Sequence, residues 1–330
     1  MRRRSWLTGL VLLCTLVGGA WPAARQSAET TNGTWTADVE TSWRGDDGRP
    51  RVQLQLRTEG RDSHWGFGVR REDLQGLPPG ARDGAVANAR FRLVREAGTF
   101  TFSGTFDDGR GRGPFTFAPA AAYVRTMEGF GYRNLPGERL MRLAVLDVTG
   151  AFVRELRDAG QTTLPLEDLV RFRIHGVSGS LVRAFAQAGL TPLAPGDLVR
   201  LRIHGVTPDF LTGLRSRRYT GLGADDLTRM RIHGVTLEEI DALGAAGLRG
   251  VAADELVRFR IHGVSPAFVR DMRALGFTTA DADDFVRMRI HRVTASRVRD
   301  ARADGLDIAT ADDAVEWAIH GRRWSRGRRR

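Results

Sequence analysis

A chain of 330 residues with 42% hydrophobic and 27% charged residues is long enough for two cored domains and too apolar for a disordered polyelectrolyte. Its formal net charge of +11 suggests nucleic acid only until it is located. Arg2, Arg3 and Arg4 open the chain and six arginines lie between Arg322 and Arg330, whereas residues 164–321 carry 21 Arg against 21 Asp and Glu. The single cysteine, Cys14, excludes an intramolecular disulfide.

The first predicted element is a targeting segment. Arg2 to Arg4 precede an apolar run from Leu7 to Val17, and Gly18-Gly19-Ala20 supplies the small residues of a cleavage site, so residues 1–20 are expected to be a signal peptide. The run is shorter than the ~20 apolar residues of a membrane span. Arg3-Arg4-Ser5-Trp6-Leu7 also resembles a twin-arginine export motif, and Leu13 stands where a lipoprotein box before Cys14 needs a small residue. The mature protein is therefore expected to be exported, periplasmic or extracellular, without a thiol and without a transmembrane span.

Residues 29–118 follow a period of two. Trp35, Ala37 and Val39, then Val52, Leu54 and Leu56, then Trp65, Phe67 and Val69 alternate with polar residues. Ala89, Phe91 and Leu93, then Phe100, Phe102 and Phe106, then Phe115 and Phe117 continue the pattern. Turn signals at 45–48, 78–80 and the glycine-rich stretch 107–113 separate the runs. The expected fold class is α+β: an antiparallel β domain of six or more strands, a sandwich or an open barrel, capping an α-helical-hairpin solenoid.

The solenoid is read from six copies of Ile-His, at Ile174-His175, Ile203-His204, Ile232-His233, Ile261-His262, Ile290-His291 and Ile319-His320, each 29 residues after the last. Such a period is one supersecondary unit stacked on copies of itself, here over residues 119–321. In the first helix of a unit Leu169, Val170, Phe172 and Ile174 fall within a broad apolar arc, and the equivalent isoleucines are expected to be buried in register. Gly176 and its equivalents close that helix. The second helix opens on Ser or Thr, as in Thr207-Pro208-Asp209, and stops at a glycine such as Gly189 or Gly247.

Candidate sites are weighed against this frame. Stacked helices lie ~8–10 Å apart and metal ligands sit ~2 Å from their ion, so His175, His204, His233, His262, His291 and His320 are expected to be helix-end residues bonding terminal carbonyls, with no metal and no cofactor. Arg173, Arg202, Arg231, Arg260 and Arg289 form a ladder that either ties units to acids or engages an acidic ligand. The turn Ile-His-Gly-Val-Thr-Pro resembles a helix-hairpin-helix, which would hold a phosphate on backbone amides, but histidine stands where that motif has a second glycine. In the β domain, Asp62, Ser63 and His64 are too close in sequence to converge as a triad. Trp35, Trp43 and Trp65 suit a sheet core better than a sugar platform. Residues 322–330 read as a basic disordered tail able to touch an anionic surface.

The units are similar to tandem RIHGV(S/T)P-x-F repeats of exported bacterial proteins, which also occur behind membrane metallopeptidases of the beta-lactam-sensor type. The resemblance spans about residues 120–321 and implies no activity; the peptidase motif is absent from this sequence. The reading is an exported, non-enzymatic interaction or scaffold module of the cell envelope, with a protein or envelope component as partner. The alternatives are a hairpin binder of nucleic acid or another phosphate polymer, and a sugar-binding or enzymatic β domain with a repeat appendage.

Overall fold

The structure is a computed structural model that describes residues 29–39, 48–59 and 63–321. The expected signal peptide, Trp43, Asp62 and the basic tail lie outside the described residues.

The alternating runs become strands β1 (Thr31–Asp38), β2 (Val52–Thr58), β3 (His64–Val69), β4 (Leu74–Gln75), β5 (Val86–Arg95), β6 (Gly98–Asp107) and β7 (Arg110–Pro119). They form one antiparallel sheet in the order β3-β2-β1-β7-β6-β5-β4, so the sandwich alternative is replaced by a single curled half-barrel. Curling brings non-neighbouring strands together. The Trp35 ring of β1 lies 5.1 Å edge-on from Phe91 of β5, and Phe67 of β3 lies 6.5 Å from Phe100 of β6. Trp35 satisfies its indole N–H by donating to the Ser103 carbonyl at 3.0 Å.

The stretch read as one long turn at 107–113 is mostly strand. Asp108 and Gly109, at φ of 39° and 77°, make a two-residue hairpin between Asp107 and Arg110. Gly111 and Gly113 then sit inside β7, where a Cβ would come within 2.4 Å of the Phe106 ring and 2.0 Å of the Ser103 carbonyl oxygen.

Helices follow at once: α1 (Ala121–Gly129), α2 (Gly137–Val145), α3 (Gly150–Asp158), α4 (Leu166–His175), α5 (Gly179–Gln187), α6 (Pro195–Ile203) and α7 (Pro208–Ser216). The series continues with α8 (Ala224–Ile232), α9 (Leu237–Ala245), α10 (Ala253–His262), α11 (Pro266–Ala274), α12 (Ala282–Ile290), α13 (Ala295–Ala303) and α14 (Ala311–His320). From α4 onward each even-numbered helix packs on the next even one, and each odd helix packs on the next odd one. The array is thus two layers of short helices around a continuous core, with α1 as a leading half-unit.

Local chemistry explains why each unit breaks where it does. The hydroxyls of Thr149, Ser178, Thr207, Thr236, Ser265 and Thr294 accept the N–H three residues on at 3.1–3.3 Å, opening α3 to α13 of the odd layer. Even helices from α4 to α10 end at a left-handed residue, Gly176, Gly205, Gly234 or Gly263, while Asp147 and Arg292 adopt the same conformation after α2 and α12. Between these ends Leu169, Val170 and Phe172 of α4, and their counterparts in later units, are buried, except that Trp317 of α14 is half-buried.

Helix α2 joins the two parts. It packs against β7, β1 and β6, and Gly137 at its start has the Glu29 carbonyl oxygen 2.2 Å from where a Cβ would stand. Burial of apolar surface at this joint is continuous with both cores.

A candidate interaction face on the even-helix layer

The repeated isoleucines are not in the core. Ile174, Ile203, Ile232, Ile261, Ile290 and Ile319 are each 50–55% exposed, which corrects the expectation that they are buried in register. The physical reason is their place on the helix wheel. Ile174 falls ~140° from Leu169 at 100° per residue, close to the outward Glu167 and Arg171. The six isoleucines form a ladder along the outer surface of the even layer.

Beside this ladder runs a row of ion pairs. Arg142 meets Glu167 at 2.9 Å, Arg200 meets Asp225 at 2.6 Å and Arg258 meets Asp283 at 2.5 Å, each across one helix-helix seam. Arg229 with Asp254 and Arg287 with Asp312 repeat the device. Gly196 occupies the acid position that would face Arg171, which instead holds Asp168 of its own helix at 3.1 Å. At the far end the row carries Glu316 in place of arginine. These pairs are solvent-exposed, so each adds only ~0.2–1 kcal/mol; together they leave the surface electrically neutral.

The predicted arginine ladder lies at the seams between units. The Nε of Arg173 donates to the Leu146 carbonyl at 2.9 Å, that of Arg202 to His175 at 3.3 Å and that of Arg260 to His233 at 3.1 Å. Each accepting carbonyl belongs to the end of the preceding even helix, where it has no partner of its own. The guanidinium groups of Arg173, Arg231 and Arg289 also stack 5.1–5.5 Å over Phe152, Phe210 and Phe268 of the preceding odd helix. Among the described residues acids participate at two places: Arg173 meets Asp147 and Arg260 meets Glu239, both at 3.3 Å.

The odd layer uses the same seam. Arg157 donates to Phe130 at 3.0 Å, Arg215 to Gly189 at 2.9 Å and Arg302 to Leu275 at 2.7 Å. Tyrosines add a further tie between units, Tyr132 donating to the Leu164 carbonyl and Tyr219 to Val251, both at 2.7 Å. Burial raises both phenol pKa values above the ordinary 10.0.

All six repeat histidines stand at the last or capping residue of an even helix. None of their imidazoles makes a hydrogen bond with a described residue, so the role given to them at the terminal carbonyls falls to arginine instead. Among the described residues no cluster of three or more His, Cys, Asp or Glu could hold a metal. The isoleucine is thus presented outward once per unit, with an exposed histidine beside it at His204 and His320 and a half-buried one in the other four units.

The hairpin turns spend their amides internally. The N–H groups of Gly205 and Gly234 donate to Arg202 and Arg231, and those of Val177, Val206 and Val235 donate to the buried positions Phe172, Leu201 and Met230. In the β domain, an open depression of about 510 Å³ is lined by Asp38, Gln53, Gln55, Asp107, Arg110 and Arg112 among others, with no His, Ser or Cys in its wall. His64 is exposed on β3, and Ser63 beside it donates to Glu138 of α2 at 3.0 Å. No described helix is long and apolar enough to cross a membrane.

No family model matches the chain, and no curated protein matches it.

Proposed function

We propose that this chain is an exported, non-enzymatic interaction module in which the sheet caps a rigid array and the Ile-His ladder docks a protein of the cell envelope. One observation carries the reading. At α2 the ladder position is Val145, and there it is only 7% exposed beside the sheet, with Trp65 5.8 Å from the Arg142 guanidinium and Ser63 on Glu138. The same helix face is open in every following unit. A face that packs within the molecule at its first position is built to pack again.

Invariance among the units supports this. The core position at Phe172 is Leu201, Met230, Phe259, Met288 and Trp317 in the other units, whereas the exposed position is isoleucine six times. Outward residues of the odd layer vary freely, as in Ser180, Asp209, Glu238 and Ala267. A regular apolar strip on a soluble surface marks an interaction site, because leaving it in water costs free energy that binding recovers. The five ladder arginines hold the seams that keep its rungs evenly spaced.

The test is capture from an envelope extract on immobilised residues 21–330, using the native sequence, an Ile203→Gln/Ile232→Gln/Ile261→Gln variant and an Arg299→Gln variant of the odd layer. The expected result is a bound protein lost with the triple variant and retained with the other. Equal capture by all three overturns the proposal.

A further inference from the structure

We propose that the outer face of the sheet carries a binding site of its own, for a carboxylate-bearing polysaccharide, in the depression across β2, β1, β7 and β6. It does not depend on the reading of the isoleucine ladder. Strand alternation builds it: Trp35, Leu54, Phe106 and Gly111 turn to the core, so their sequence neighbours stand together on the opposite side. Register sets these neighbours in two rows over four strands. One row runs Gln55, Thr36, Arg112 and Thr105, and the other runs Gln53, Asp38, Arg110 and Asp107. The floor between them is backbone, because the buried Ala37 points its methyl inward and its partner Gly111 has no side chain. The resulting depression of about 510 Å³ falls within the ~300–1,000 Å³ of sites that hold a small ligand.

The rows differ in charge. Arg110 stands between its register partners Asp38 and Asp107, which offset it. Arg112 has only the hydroxyls of Thr36 and Thr105 beside it, on the neighbouring strands. Among the described residues, the side chains of Arg110, Arg112, Gln53, Gln55 and Asp107 make no hydrogen bond or ion pair. The exposed arginines of the even helices contrast with them, since Arg171, Arg200, Arg229, Arg258 and Arg287 each hold a carboxylate. The polar groups of the depression are unspent.

That set of groups selects a ligand. A guanidinium with no acid beside it takes a carboxylate through two parallel hydrogen bonds. The hydroxyls and amides around Arg112 donate and accept at once, as sugar hydroxyls require. Asp107 accepts only, so it calls for O–H groups on the ligand and repels a phosphate. Bases have nothing to stack on, because Trp35, Phe100, Phe102, Phe106, Phe115 and Phe117 of β1, β6 and β7 are all at most 2% exposed. A chain of sugar rings bearing carboxylates satisfies both rows together.

The experiment is titration calorimetry on the chain from residue 21, with circular dichroism on every variant to establish that it folds. Oligogalacturonate and oligomannuronate carry a carboxylate on each ring; maltooligosaccharide of equal length carries none, and polyphosphate has charge without ring hydroxyls. At least one uronate is expected to bind saturably, about tenfold or more tighter than maltooligosaccharide and polyphosphate. Arg112→Gln is expected to weaken that binding about tenfold or more, and Gln55→Ala, which carries the test should Arg112→Gln fail to fold, about threefold. Arg90→Gln, exposed on β5 outside the depression, and Ile203→Gln/Ile232→Gln/Ile261→Gln are expected to bind as the native chain does. Failure of both uronates to bind overturns the inference, as does equal binding of maltooligosaccharide or polyphosphate. Full binding by the depression variants overturns it too, and so does a loss in Arg90→Gln or the ladder variant as large as that in Arg112→Gln.

Discussion

Ile232 and Met230 sit two residues apart in one helix and face opposite fates. Met230 is fully buried, so Met230→Asp places an unpaired charge in the core and is expected to cost several kcal/mol. Ile232 is 54% exposed, and Ile232→Asp is expected to cost about 1 kcal/mol or less, most of it from an acid at a helix C-terminus. Urea unfolding of the two variants compares them directly, and similar midpoints would contradict the exposed ladder. The sequence alone misplaced this isoleucine because apolar character was weighed above wheel position. Arg173 was the complementary clue: at ~40° from Leu169 it falls in the middle of the apolar arc, where a guanidinium is stable only by stacking on a ring and donating to a carbonyl. It does both.

Between elements, the ties are polar and the filling is apolar. Thr and Ser caps, terminal glycines and the 29-residue step were readable from residue type and spacing because each depends on local backbone chemistry. That the ladder arginines tie units was one of the two readings of the sequence, but the carbonyls they and the tyrosines reach were not readable, since these bonds join residues 26 to 32 apart that no local pattern links. Likewise β4, with only Leu74 and Gln75, is too short to leave a periodic trace. The tyrosine ties give these seams a pH signature. Tyr132 and Tyr219 have pKa values raised by burial, so above pH 10.0 the unfolded chain releases phenol protons that the folded chain still holds. The unfolded state then binds fewer protons, and stability must fall as pH rises. Thermal melts from pH 8 to about 11 are expected to show this fall, with a shallower slope in Tyr132→Phe/Tyr219→Phe; an equal slope would assign it elsewhere.

In the molecule as a whole, the hydrogen bonds from ladder arginines to carbonyls run backward, from a unit to the one before it, and land on equivalent helix-end carbonyls. Deleting residues 224–252, one complete pair α8 and α9, should therefore let Arg260 meet His204 as Arg231's place closes up. The shortened chain is expected to unfold cooperatively with its helical signal reduced in proportion. Deletion of 238–252, about half that length, should break the layering and the transition with it; the two melts side by side decide. The backward seam has a further consequence, for descent rather than for stability. Stretches of 29 residues that share a motif invite unequal exchange between copies of the gene, and a gained or lost unit would find its join already made. Lineages could then lengthen or shorten the ladder one isoleucine at a time, tuning avidity while inheriting the same sheet and the same fold.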